Sequence, residues 1–179
     1  MKSFSLLLSI VLFVFFTSCN DSKNDRTEML QEIKKVEKTI LADTLDFLNF
    51  KDAGKVIVMY DEFVNKYKED SLSPMFLFRK AEITMNTGQH DLSLKTFNEI
   101  IQNYPEYKDI DRVYFMKAFL LENYIKDIDK AKEAYNQFIL KFPNNELIED
   151  AKISIQNIGK SPEELILEFE SKKTESIKK

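Results

Sequence analysis

Cysteine occurs once in the 179 residues, tryptophan not at all, glycine three times and proline four times. A lone cysteine excludes a disulfide framework, zinc-finger spacings and, within the folded part, a cysteine nucleophile. Histidine is equally scarce: His90 is the only one, and with no cysteine or second histidine it offers neither a metal set nor a catalytic triad. Lying beside Gly88, it reads as an exposed loop residue. So few turn residues fit long helices and argue against a sandwich of many short strands. No glycine-rich phosphate loop is present. Positive charge is not in surplus either, since 26 Lys and Arg face 30 Asp and Glu for a net charge of −4, which argues against a nucleic-acid partner. What is plentiful is apolar side chain: at 44% hydrophobic and 31% charged, the chain can bury the core of one domain.

One long apolar run stands out, from Phe4 to Phe16, broken only by Ser5 and Ser9 and preceded by Lys2. Crossing a bilayer takes about 20 apolar residues, so this run is too short for a span and reads as the core of a signal peptide over residues 1–18. It ends at Phe16-Thr17-Ser18-Cys19, which resembles a bacterial lipobox with Phe16 where Leu is usual. That resemblance implies cleavage before Cys19 and acylation of its sulfur. Each buried CH₂ of an acyl chain contributes about 0.8 kcal/mol, enough for two or three chains to hold a protein at a membrane. Residues 19–27 then read as the lipidated cysteine and a flexible polar linker. Asp21 and Asp25 within it resemble the surface-export signals of some Gram-negative lineages.

Three later segments superimpose without gaps: VIVMYDEFVNKYK from Val56, SLKTFNEIIQNYP from Ser93 and AKEAYNQFILKFP from Ala131. The alignment pairs Tyr60, Phe97 and Tyr135 at offsets of 37 and 38 residues. Within each segment apolar residues recur at i, i+3, i+4 and i+7, one face of a helix. Pro105 and Pro143 follow the second and third segments directly, where a ring that blocks further helix belongs. A second kind of helix precedes these two: MFLFRKAEITMN from Met75 and VYFMKAFLLENY from Val113, aligned on Ala81 and Ala118. Ser73-Pro74 reads as an N-cap and first helical residue, and Gly88 as the stop. A further helix from Glu146 ends at Gly159, and Ser161-Pro162-Glu163-Glu164 is a capping box that restarts the chain. Upstream, residues 27–48 read as one or two helices, with Met29, Ile33, Val36, Ile40 and Leu41 at helical spacing. About eight helices result, in helix-turn-helix units.

This pattern resembles the tetratricopeptide repeat, with Ala81, Ser93, Phe97 and Pro105 in its small, small, aromatic and proline columns, and Ala118, Ala131, Tyr135 and Pro143 in the next unit. Thirteen residues separate Ala118 from Ala131 against twelve from Ala81 to Ser93, so the second hairpin loop is expected to be one residue longer. The units exceed the family norm and are similar to the extended repeats of bacterial outer-membrane lipoproteins, including the lipoprotein of the β-barrel insertion machinery and the Tol-Pal coordinator. The expectation is therefore an all-α fold, a short right-handed α-solenoid over residues 28–160, with a capping helix and basic tail over 161–179.

The resemblance further implies a concave face lined by the first helix of each unit and suited to extended or helical peptide. Its register places Met75, Phe78, Glu82, Met85 and Asn86 there, then Arg112, Phe115, Phe119, Glu122 and Asn123. Glu82, Asn86, Arg112, Glu122 and Asn123 are the candidate partner-binding residues, because polar groups make poor core; the aromatic residues read as core as readily as ligand contacts. Asp109-x-Asp111 and Asp127-x-Asp129 are carboxylate pairs, but both lie at helix starts, where Asp caps free amides, and neither continues into a calcium loop. No metal, cofactor or catalytic residue is expected, and the chain does not read as an enzyme. The expected role is a lipid-anchored scaffold in a bacterial cell envelope, at the outer membrane, holding an envelope protein or peptide. The alternative is a subunit of outer-membrane or cell-wall assembly machinery, and a remoter one is an enzyme acting on envelope polymers, which would need an acid pair in a cleft.

Overall fold

The computed structural model of the protein describes residues 24–39 and 50–177. Cys19, residues 1–18, where a signal peptide is expected, and residues 40–49 lie outside the described residues. Within them the chain is all-α, with eight helices and no strand: α1 over residues 24–39, α2 (Phe50–Lys66), α3 (Ser73–Asn86), α4 (His90–Asn103), α5 (Ile110–Leu120), α6 (Ile128–Lys141), α7 (Ile148–Asn157) and α8 (Pro162–Ile177). A π-helical turn, Leu121–Ile125, extends α5. The helices fall into two compact units, divided between Phe76 and Leu77.

In the first unit the apolar stripe of α1 buries Ile33, and Val56, Tyr60 and Phe63 of α2 are fully or almost fully buried. Phe76 at the end of this unit stacks on Tyr60 at 5.0 Å and meets Phe63 edge-on at 4.9 Å. The buried Tyr60 ring keeps its hydroxyl satisfied by donating to Glu37 Oε1 at 2.7 Å. The start of α1 departs from the sequence expectation. Residues 24–27, read as the end of a flexible linker, form its first turn. Their charges find partners far along the chain: Arg26 forks onto Asp70 at 2.5 and 3.1 Å, while Asp25 accepts from the Tyr67 hydroxyl and pairs with Lys66 at 2.6 Å. The bond to Asp25 pushes the Tyr67 phenol up to about 12. Ser73 also differs from its expected role as N-cap. It is buried and donates from Oγ to the Tyr67 carbonyl at 2.6 Å, and Asp70 Oδ1 instead accepts from the Leu72 amide at 2.9 Å.

In the second unit the small residues decide how closely the helices approach. Ala81 on α3 and Ser93 on α4 are fully buried, and Ser93 Oγ donates to the Ala81 carbonyl at 2.8 Å. Phe97 lies beneath, 6.0 Å from Phe78. The next hairpin repeats this plan, with Ala118, Ala131, Ala134, Tyr135 and Phe138 forming one buried cluster that Ala151 of α7 and Ile158 extend. Phe115 packs edge-on to both Tyr135 and Phe138, at 5.7 and 5.4 Å. At α8 the capping box forms as a reciprocal pair, the Ser161 amide donating to Glu164 Oε2 at 2.7 Å and the Glu164 amide to Ser161 Oγ at 3.2 Å.

The same turn recurs three times. Asp70, Tyr107 and Asn145 each donate an amide to the carbonyl three residues back, at 2.9, 3.0 and 3.0 Å, and each accepts from the amide three residues on, at 3.0, 2.9 and 3.2 Å. Their spacing of 37 and 38 residues is that of the sequence repeat. Pro105 and Pro143 sit in two of these turns and Lys68 in the other, so proline favours the turn but is not required for it.

Candidate partner-binding face

The first helices of the second unit, α3 and α5, carry the polar residues singled out above, and the structure treats them unequally. Glu82 is half-buried, and Arg112 reaches it from α5 with Nη2 3.3 Å from Oε1. The same guanidinium lies over the Phe78 ring, with Cζ 5.2 Å from the centroid. Burial holds the Glu82 carboxyl above the usual carboxylate range, against the opposing pull of Arg112 and Arg79. Asn86, the last residue of α3, is exposed.

Glu122 and Asn123 are used differently. Glu122 is half-buried and accepts from the Tyr135 hydroxyl at 2.6 Å, so it satisfies a core tyrosine rather than standing apart from the core. Asn123 is exposed but donates from Nδ2 to the Phe119 carbonyl of its own helix at 3.1 Å. The two asparagines are therefore not equivalent in what they offer, because only one sits in a π-helical turn. Among the apolar residues of this face, Phe78 and Met85 are buried, Phe115 belongs to the core, and Phe119 is half-buried.

The extra residue between Ala118 and Ala131 is absorbed in the helix end, not in a longer loop. α3 closes at Gly88, φ +79°, with the Gln89 amide bonded to the Thr84 carbonyl at 2.8 Å, a Schellman arrangement. α5 widens into the π-turn before closing at Lys126, φ 63°, with the Asp127 amide on the Leu121 carbonyl at 3.0 Å. Widening to an i→i+5 bond takes up one residue without breaking the helix. It also sets Tyr124, 38% exposed, against His90 at 5.0 Å and Phe119 at 6.1 Å. His90 is accordingly no exposed loop residue: it is the first residue of α4, half-buried against a ring. The spacing of thirteen residues was the only signal for this arrangement.

The carboxylate pairs also part company. Asp127 caps α6 by accepting from the Lys130 amide at 3.1 Å. Asp109 makes no side-chain cap bond; its carboxylate takes the hydroxyl of the buried Tyr107. Asp111 accepts from the Arg112 amide at 2.8 Å and from Asn145 Nδ2. Asp109, Asp111 and Asp127 are thus each committed to a structural bond, and among the described residues no group of three or more His, Cys, Asp or Glu could hold a metal ion. Nor is any described helix long and apolar enough to cross a membrane.

Residues 76–107 and 112–145 each match the tetratricopeptide repeat. These two hairpins are similar to tetratricopeptide repeats over 66 of the 179 residues. The first repeat takes in α3 from Phe76 and α4, the second α5, the π-turn and α6. The matches lie within the span of the sequence resemblance and do not extend to residues 51–75, where the same spacing places Val56 and Tyr60. No curated protein matches the chain. Repeats of this kind typically serve as scaffolds for protein–protein interaction.

Proposed function

We propose that the protein is a lipid-anchored scaffold of a bacterial cell envelope that holds a protein partner on the face formed by α3 and α5 of its two repeats. The observation that carries this reading is the Glu82–Arg112 pair with the Arg112 guanidinium over Phe78: a half-buried carboxylate, an exposed guanidinium and an apolar ring on the first helices of consecutive repeats. The Phe16-Thr17-Ser18-Cys19 sequence supports the anchor, with Cys19 as the acylated residue. A place in outer-membrane or cell-wall assembly machinery is a narrower form of the same role, which identification of the partner would decide.

Two experiments test it. Crosslinking of the full-length protein in its host, followed by capture and mass spectrometry, should recover one or two stoichiometric envelope proteins. Their recovery should fall when the exposed Asn86 and Asn123 are changed together to alanine. Glu122 is left intact in that variant because its bond to Tyr135 ties it to the core, so a change there would also alter stability. Recovery that is indifferent to the double change would refute the assignment of this face. Separately, Cys19→Ala should move the protein from the membrane to the soluble fraction, and unchanged membrane retention would refute acylation at that residue.

A further inference from the structure

The way Arg112 is held points to what the partner brings. Its guanidinium sits where Phe78 supplies a ring at 5.2 Å and Glu82 a carboxylate oxygen at 3.3 Å. A ring face and a carboxylate together suit a planar cation, which stacks on one and bonds the other. Yet Arg112 is poorly retained: its side chain is 61% exposed, and its single bond to Glu82 is long. A mostly solvated ion pair of this kind is worth little. Glu82, by contrast, lies within α3, one turn from its end, and is the better buried of the two, 31% exposed against 61%. The site is fixed and its occupant is loose.

We infer that Phe78 and Glu82 form a subsite for an arginine side chain of the partner protein, and that Arg112 is an internal stand-in which the incoming guanidinium displaces. This rests on the reading of α3 and α5 as the partner-binding face. Displacement costs little, because Arg112 moves from a mostly exposed position into water. The incoming guanidinium exchanges its hydration for the same ring and carboxylate, with the rest of the partner chain to hold it there. Arginine fits better than lysine, since a planar fork can lie over a ring and reach a carboxylate beside it, whereas an ammonium is a compact, strongly hydrated point charge.

The subsite predicts opposite effects for its two charged residues. Isotope-labelled full chain, kept in solution with detergent, is titrated by NMR with N-acetyl-arginine amide, and with N-acetyl-citrulline amide as a neutral control of the same shape. In the Arg112→Ala protein, the arginine probe should produce saturable shifts at the amides around Phe78 and Glu82, with an apparent affinity at least five-fold tighter than in the wild type. Adding Glu82→Gln should abolish those shifts. Arg112→Gln, which keeps the side-chain stem over Phe78, serves the same purpose should the alanine variant fold poorly. Equal responses to arginine and citrulline probes, or an affinity unchanged by removing Arg112, would overturn the inference. A captured partner whose binding is indifferent to Glu82→Gln would also overturn it, while leaving the scaffold role standing.

Discussion

Tyr135 allows packing and hydrogen bonding to be separated at one buried position. It is fully buried on the side of α6 that faces α5, its ring lies 5.7 Å from Phe115, and its hydroxyl donates to Glu122 Oε2 at 2.6 Å. Tyr135→Phe keeps the ring and removes the donor from a half-buried carboxylate; a hydrogen bond to a charged group is worth about 1.5–3 kcal/mol, so the cost should be about 2 kcal/mol. Tyr135→Ala removes the ring as well, and deletion of a buried aromatic side chain costs about 3–5 kcal/mol. Urea denaturation followed by circular dichroism gives the stabilities, and hydrogen exchange over α5 and α6 assigns the loss to the second unit. Coupling supplies the internal check: in a Glu122→Gln background, Tyr135→Phe should cost visibly less. Burial, followed by the bond to Glu122, raises the phenol above its ordinary pKa. The neutral form is therefore favoured in the fold, and the stability it contributes, present below the unfolded value of about 10, is lost as pH rises beyond that. Tyr135→Phe should flatten that alkaline loss. A cost below about 1 kcal/mol for Tyr135→Ala would refute the placement of this ring in the core.

Lys126 holds the left-handed position that Gly88 holds in the first repeat. A side chain there costs about 1–2 kcal/mol, and the extra chain entropy of glycine offsets part of the gain, so Lys126→Gly should stabilise the protein by about 0.5–1 kcal/mol in thermal or urea unfolding. A destabilised glycine variant would show that the Lys126 side chain makes a contact worth more than the strain. In the first unit, Asp70→Ala removes both the fork from Arg26 and the bond to the Leu72 amide, a loss of about 1–2 kcal/mol at neutral pH. The hydrogen bond from Arg26 holds the Asp70 carboxyl below the usual carboxylate range, so its contribution is present above the unfolded value of about 3.9 and lost as pH falls through the acid range. Urea midpoints for Asp70→Ala and wild type should therefore converge toward pH 3; a gap that persists undiminished would argue against the ion pair.

Spacing made the hairpins legible. Ala81, Ser93, Ala118 and Ala131 repeat because helices can approach only where side chains are small, and Phe97 and Tyr135 repeat because the space beside them must be filled. Such constraints act within a few dozen residues and leave a periodic trace. Pairings across longer separations leave none. Nothing in Asn24 to Thr27 announces that Arg26 will meet Asp70, 44 residues on, so a polar, aperiodic stretch reads as a linker although it begins a helix. The role of Glu122 is hidden for another reason: its partner is only 13 residues on, but the pairing is set by where α6 lies against the end of α5. The extra residue before Ala131 could be counted but not located, since a longer loop and a π-turn add one residue alike; only the packing of Tyr124 against His90 and Phe119 distinguishes them.

That difference between packed and open columns bears on recognition. A side chain held between helices cannot change size without leaving a cavity or forcing the helices apart. Half-buried residues beside them are less constrained, and there the two repeats diverge. Glu82 is matched by Phe119, while Ala81 and Ala118 stay the same. Equivalent positions on one scaffold thus carry a carboxylate in the first repeat and a ring in the second. The π-turn adds to the asymmetry by placing Tyr124 only in the second. A partner engaging both repeats meets acid and aromatic surface in one order only, so two similar hairpins can fix the direction of the chain they hold as well as its composition.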